Sequence, residues 1–304
     1  MYVKYLPSEA LLKAKEVATY LNRPLLLSGE PGTGKTKFAE YIEVIEEKSL
    51  FVFNTKSVSL SRDLFYTYDA IGHFAEKDKS AIEFIRLEAL GKAIINAFGT
   101  DKVMKMLKDD PTNSQQLIKL RQSDSRNEII SLFLSGCNGI NCIVLIDEVD
   151  KAPRDFPNDI LNEIENLEFE IRELGMKISL DKQNKEVKDK IFVLLTSNFE
   201  KNLPEAFLRR CIYHHIEFVE DVDYLKKIVN VHIGDINQQH LSERIREFIE
   251  IRKNNSIQKK PATSELIDCI KWMVYNRNLD SSLRRNVTAL STLLKKNEDV
   301  KLYA

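Results

Sequence analysis

The chain has 304 residues, with 45 basic and 46 acidic side chains and a formal net charge of −1. It is therefore long for one domain and carries no overall field toward nucleic acid or an anionic membrane. Hydrophobic residues make up 43% and charged residues 30%, which excludes wholesale disorder and fibrous composition. The longest apolar runs, residues 143–146 and 191–195, have the length of strands and fall far short of the roughly 20 residues a membrane-crossing helix needs.

Residues 1–12 include Lys4 and Glu9 and lack the apolar centre of a secretory signal, so a cytoplasmic protein is expected. The pattern then sets out a strand at 24–28, a glycine-rich loop, and a helix at 37–47 with Phe38, Ile42 and Ile45 at helical spacing. Residues 50–53 read as a further buried strand. Residues 66–134 read as polar, helical and without a core strand, and are expected to form an insertion into the first domain. Residues 143–146, 191–195 and 212–218 complete a set of five strands. Between the third and fourth strands, Phe156, Ile160, Leu161, Ile164 and Leu167 form one apolar helical stripe, and residues 169–180 alternate about Gly175 as a hairpin. A polar loop is expected at 181–190.

Strands alternating with helices predict an α/β fold, a three-layer αβα parallel sheet. After Phe218 the pattern is all helical, with a polar joining segment at 252–260 and with Trp272, Ile267, Ile270 and Val274 as core. The expected domains are thus 1–218 and a helical lid at 219–304. Four cysteines, Cys137, Cys142, Cys211 and Cys269, lack C-x-x-C spacing and read as reduced, buried thiols rather than a zinc site or a disulfide framework. His214 and His215 are neighbours in a strand, point to opposite faces, and are poorly placed to share a metal.

The residues Gly29, Glu30, Pro31, Gly32, Thr33, Gly34, Lys35 and Thr36 satisfy G-x-x-x-x-G-K-[ST] between a strand and a helix. Glycines at these places let backbone N–H groups wrap phosphates, with Lys35 reaching the β- and γ-phosphates and the Thr36 hydroxyl meeting Mg2+. The following helix adds the positive end of its dipole. The run 142–148 ends an apolar strand in Asp147-Glu148, placing two carboxylates where open α/β sheets bind ligands. Asp147 acts on Mg2+ in this reading, and Glu148 polarises the attacking water.

Several segments resemble the MoxR branch of AAA+ ATPases. They are L-L-L-S-G-E-P-G-T-G-K-T from Leu25, F-Y-T-Y-D-A-I-G from Phe65, V-L-I-D-E-V-D-K-A-P-R-D-F-P-N-D-I-L-N-E-I-E from Val144, F-E-I-R-E-L-G from Phe169, T-S-N from Thr196 and L-P-E-A-F-L-R-R from Leu203. The resemblance implies a P-loop NTPase fold, with ATP and Mg2+ as ligands. It further implies that Asn198 is the polar sensor 1 residue and that Arg209 or Arg210 is an arginine offered to the ATP of a neighbouring subunit, Arg210 aligning best. It also implies that the segments from Phe65 and Phe169 are the helix 2 insert and the hairpin before sensor 1. The position expected to hold the sensor 2 arginine holds Ser264, leaving Lys259, Lys260, Arg284 and Arg285 as substitutes.

By the same resemblance the chain is expected to form a homo-oligomeric ring, a hexamer, that remodels or assembles a client protein, with a von Willebrand factor A domain protein as partner. Two rival functions share this engine. One is a DNA-directed motor using Lys253, Lys259 and Lys260 or Lys102, Lys105 and Lys108; the other is a nucleotide-dependent scaffold with negligible turnover.

Overall fold

The computed structural model describes residues 4–123, 139–179, 185–198 and 203–303. Cys137, the end of the expected insertion (residues 124–134), Leu180 and the first part of the expected loop (181–184) lie outside these residues.

Five parallel strands form the central sheet: β1 (Leu25–Gly29), β2 (Ser49–Asn54), β5 (Cys142–Asp147), β8 (Ile191–Ser197) and β9 (Ile212–Ile216), in the order β2-β5-β8-β1-β9. The three inner strands are apolar because both their faces are covered. Every residue of β1 and β8 is buried, as is β5 up to Ile146. Each fully covered Leu or Ile here contributes about 1.5–3 kcal/mol. The outer strands differ. β2 was expected to be a buried strand, yet Val52 is 44% exposed, since an edge strand has one uncovered flank. β9 likewise alternates between half-buried and exposed residues.

The chain divides into two compact units. One comprises Leu12–Leu27 and Ile42–His214; the other comprises Met1–Leu11, Ser28–Tyr41 and His215–Ala304. In the first, the apolar stripe after β5 forms α7 (Phe156–Asn166), with Phe156, Ile160, Leu161 and Ile164 buried. This helix stops at Leu167, which takes a left-handed conformation.

The reading of residues 66–134 as polar is corrected by α4 (Ala89–Phe98), one of the most completely buried helices of this unit, packed on β2 and β5. Gly91 lets this helix also lie against the backbone of Phe65, because a Cβ there would be 2.1 Å from the Phe65 carbonyl oxygen. The same region also contains an antiparallel pair, β3 (Tyr66–Tyr68) with β4 (Ile85–Leu87), which flanks the short α3 (Ala70–Ala75). Two further helices follow, α5 (Thr100–Asp109) and α6 (Pro111–Ser123).

The hairpin forms as read, β6 (Glu168–Ile171) pairing with β7 (Met176–Ser179) around Gly175 at φ 58°. It is tied down by Asn113 of α6, a buried amide that donates to the Lys177 carbonyl at 2.7 Å and accepts from the Lys177 N–H at 2.9 Å. Phe65 stacks on Phe169 with centroids 5.0 Å apart. Where a loop was expected at 181–190, Lys185–Lys188 forms one helical turn, α8, anchored by buried Val187.

The second unit contains α10 (Val222–Ile233), α11 (Gln238–Lys253), α12 (Thr263–Tyr275), α13 (Val287–Leu293) and α14 (Asn297–Lys301). They enclose a core built from Leu225, Leu241, Ile245, Phe248, Leu266 and Met273, among others. Two expectations fail here. The polar joining segment starts after Lys253, because Arg252 completes the covered face of α11. Trp272 is 37% exposed and stacks on the exposed Tyr275 instead of filling the core, a place taken by Cys269, Ile270 and Met273. Among the described residues no helix is long and apolar enough to cross a membrane. Cys142, Cys211 and Cys269 are buried and none of the three forms a disulfide, and burial pushes the Cys211 thiol up to about 12 and the Cys269 thiol up to about 11.

Candidate functional site

The glycine loop runs from the end of β1 into α2 (Lys35–Ile45). Gly29, Gly32 and Gly34 have φ values of 148°, 80° and 93°, which residues with a Cβ rarely adopt. Space excludes a side chain as well. A Cβ on Gly34 would lie 2.7 Å from Tyr5 Cε2, and one on Gly32 would lie 2.4 Å from Ser264 Oγ and 2.9 Å from Ala262 Cβ. Tyr5 packs against both Phe38 and Tyr41, with its hydroxyl held protonated by burial first and by Tyr224 second.

Lys35 is only 6% exposed. Its ammonium donates to the carbonyls of Gly29 at 2.7 Å and Glu30 at 2.9 Å. The Thr33 hydroxyl also donates to the Glu30 carbonyl, at 2.8 Å. Thr36 lies exposed in the first turn of α2, and Pro31 is exposed at the loop's tip. A covered cation among backbone dipoles, in a loop too tight for side chains, fits a polyphosphate.

Separately, the carboxyl ends of β5 and β8 form a polar cluster. Register pairs Ile146 with Leu195, so Thr196 comes beside Asp147. The fully buried Thr196 hydroxyl donates to Asp147 Oδ1 at 2.6 Å and accepts from the Glu148 N–H at 2.8 Å. Glu148 itself is left-handed, at φ 55° and ψ 51°, a conformation that costs a non-glycine residue about 1–2 kcal/mol. Its carboxylate accepts from Asn198 Nδ2 at 3.1 Å and pairs with Lys151. The N–H of Asn198 reaches the buried Asp150 carboxylate at 3.4 Å.

The structure thus brings together Asp147, Glu148 and Asn198, all three marked in the sequence. It adds Thr196, Asp150 and Lys151, which lie within the same motifs but carry no role readable from the sequence. A hydroxyl after an apolar strand was the available signal for Thr196, but its partner depends on strand register. Arg209 and Arg210 end α9 (Glu205–Arg210), exposed, with Arg209 paired to Glu205 and Arg210 Nε 3.9 Å from Glu165 Oε1. Neighbouring histidines separate as expected of a strand, His215 Nδ1 meeting Ser28 Oγ at 2.8 Å.

Of the possible substitutes for a sensor 2 arginine, Lys259, Lys260 and Arg285 are exposed, and Arg284 pairs with Glu250 at 2.9 Å. Arg252 was missed. Its signal was legible, because it stands four residues after Phe248 and seven after Ile245, on the apolar face of its helix.

A family model described as AAA domain (dynein-related subfamily) matches residues 24–211, more than half of the chain. The chain belongs to this family. Its members are ATPases that bind nucleotide and typically assemble as rings. The matched region of this AAA protein starts one residue before β1 and ends between α9 and β9, so it includes the glycine loop, the β5 carboxylates, Asn198 and both arginines. No curated protein matches the chain.

Proposed function

We propose that this AAA protein is a MoxR-like ATPase that hydrolyses ATP with Mg2+ inside a homo-oligomeric ring, a hexamer, and uses the cycle to remodel or assemble a protein client. The observation that carries the reading is the cluster at the end of β5, where one buried hydroxyl orients Asp147 and the Glu148 backbone while Asn198 holds the Glu148 carboxylate. Ordinary acidic turns have no need of such bracing.

In this account Gly29 to Thr36 bind the phosphates, the loop amides supplying donors and Lys35 the charge. The Thr36 hydroxyl and the Asp147 carboxylate are the hard oxygen donors that suit Mg2+, which when bound neutralises charge on the phosphates. Glu148 orients the attacking water and takes up its proton. Asn198 fixes the Glu148 carboxylate by donating to one oxygen, leaving lone pairs to accept from water. Arg210, or its neighbour Arg209, reaches the ATP of the adjacent subunit, which agrees with both being exposed at a helix end in the single chain. A client or a von Willebrand factor A domain partner is part of this proposal on resemblance alone.

The test is steady-state hydrolysis against protein concentration, read beside light scattering in ATP. Specific activity is expected to rise as the ring forms. Arg210→Ala is expected to assemble and bind ATP yet lose on the order of a thousandfold in rate. Rates independent of concentration in a monomer would overturn the shared-site mechanism, and binding without any turnover would favour the scaffold.

A further inference from the structure

We infer that Arg252 is a positioning residue for the phosphate loop, holding it through Glu30 so that the helical region sets the affinity for nucleotide. The inference rests on the ATPase reading above. Arg252 is 5% exposed at the end of α11 and is fixed on two sides by its own surroundings. Its guanidinium lies over the Phe218 ring, 3.8 Å from the centroid, and Nη1 donates to the Pro261 carbonyl at 2.7 Å. The remaining side reaches the loop, Nη2 donating to Glu30 Oε2 at 2.5 Å.

The two partners differ in freedom. Arg252 has 6% of its side chain exposed and Glu30 has 49%, so the arginine is the anchor and the loop residue the part that is held. From Glu30 the path continues through its backbone, since its carbonyl accepts from both Lys35 Nζ and Thr33 Oγ1. A cation on α11 is thereby linked, through one loop residue, to the ammonium that meets the phosphates. Pro261, the other carbonyl that Arg252 holds, directly precedes Ala262, which together with Ser264 abuts Gly32. One guanidinium therefore braces both sides of the contact between loop and helix start. A planar, five-donor group suits this three-way task, and an ammonium does not.

The experiment measures equilibrium binding of ATP and of ADP, by titration calorimetry, to wild type, Glu30→Gln, Arg252→Met and the double variant. Lys253→Met, which removes the neighbouring surface pair with Glu220, is the control. Each single variant is expected to weaken both nucleotides about tenfold, and the double variant no further, because coupled residues do not add. Arg252→Lys is expected to recover only part of the loss, and the control to stay within about twofold of wild type.

If Glu30→Gln binds as wild type does, the loop is not held through this pair and the inference is overturned. Tighter binding by Glu30→Gln overturns it in the opposite sense, making Glu30 a competitor of phosphate for Arg252. Losses that multiply in the double variant also contradict it. Should Arg252→Met fail to fold, Glu30→Gln alone decides, since it changes only the half-exposed partner. A wild-type chain that binds neither nucleotide refutes the ATPase reading itself, an outcome distinct from wild-type binding with unchanged variants.

Discussion

Replacing Thr196 by Val keeps the shape of a fully buried side chain and deletes one oxygen. That oxygen donates to Asp147 Oδ1 at 2.6 Å and accepts from the Glu148 N–H at 2.8 Å. A hydrogen bond to a charged group is worth about 1.5–3 kcal/mol, and an orphaned buried donor costs about 1–3 kcal/mol. Asp147 is only partly covered and can recruit water, so a net loss of about 2–4 kcal/mol is expected. For a unit of this size that lowers Tm by roughly 4–16 °C. Far-UV circular dichroism in a urea series measures the loss, with Thr196→Ser as the variant that retains the hydroxyl. Hydrolysis should fall at least about tenfold in Thr196→Val, because the left-handed turn that aims Glu148 loses its backbone anchor. A Val variant within about 0.5 kcal/mol of wild type, or a Ser variant no better than Val, would refute the reasoning.

Gly91→Ala should destabilise the first unit by about 3 kcal/mol or more, since its Cβ would lie 2.1 Å from the Phe65 carbonyl oxygen and neither backbone can yield cheaply; denaturant unfolding checks it. Gly34→Ala meets Tyr5 at 2.7 Å with φ at 93° and is expected to abolish ATP binding, while Tyr5→Ala in the same background should not restore it because the φ strain remains. Glu163 of α7 has its carboxyl raised, by burial first and then by Asp159 and Glu168. A carboxylate raised in the folded state binds protons more readily there than when unfolded, so it costs stability as pH rises above the ordinary value of about 4.3. Glu163→Gln should therefore raise Tm at pH 7, with the gain vanishing below about pH 4; a gain that persists in acid would point to packing instead.

The inner sheet was legible because covered parallel strands are continuous apolar runs, as 143–146 and 191–195 are. The same composition cannot say which strand lies at an edge, and so β2 read as buried although Val52 faces outward. The run A-L-G-K-A-I-I-N-A-F at 89–98 is plainly apolar, but polar residues on both sides hid a core helix within a segment read as polar. In the glycine loop, backbone requirements dictate residue type, so the glycines announce the loop. At the end of β5 the carboxylates were visible, whereas the Thr196 relay depends on strand pairing that no local pattern carries. Arg252 was assigned to a polar segment by its charge; tertiary partners, an aromatic face and two oxygens, make a charged residue part of a covered helix face. Trp272 erred the other way, its spacing fitting a core that smaller neighbours fill.

The central claim is that Glu148 activates water at a bound ATP. Its most direct test is phosphate release from preformed Mg2+–ATP complexes of wild type and Glu148→Gln, with ATP affinity measured on the same samples. The wild type is expected to turn over, and the variant to bind ATP at least as tightly while releasing phosphate at least about a hundredfold more slowly. Equal release from both, at equal affinity, would contradict it.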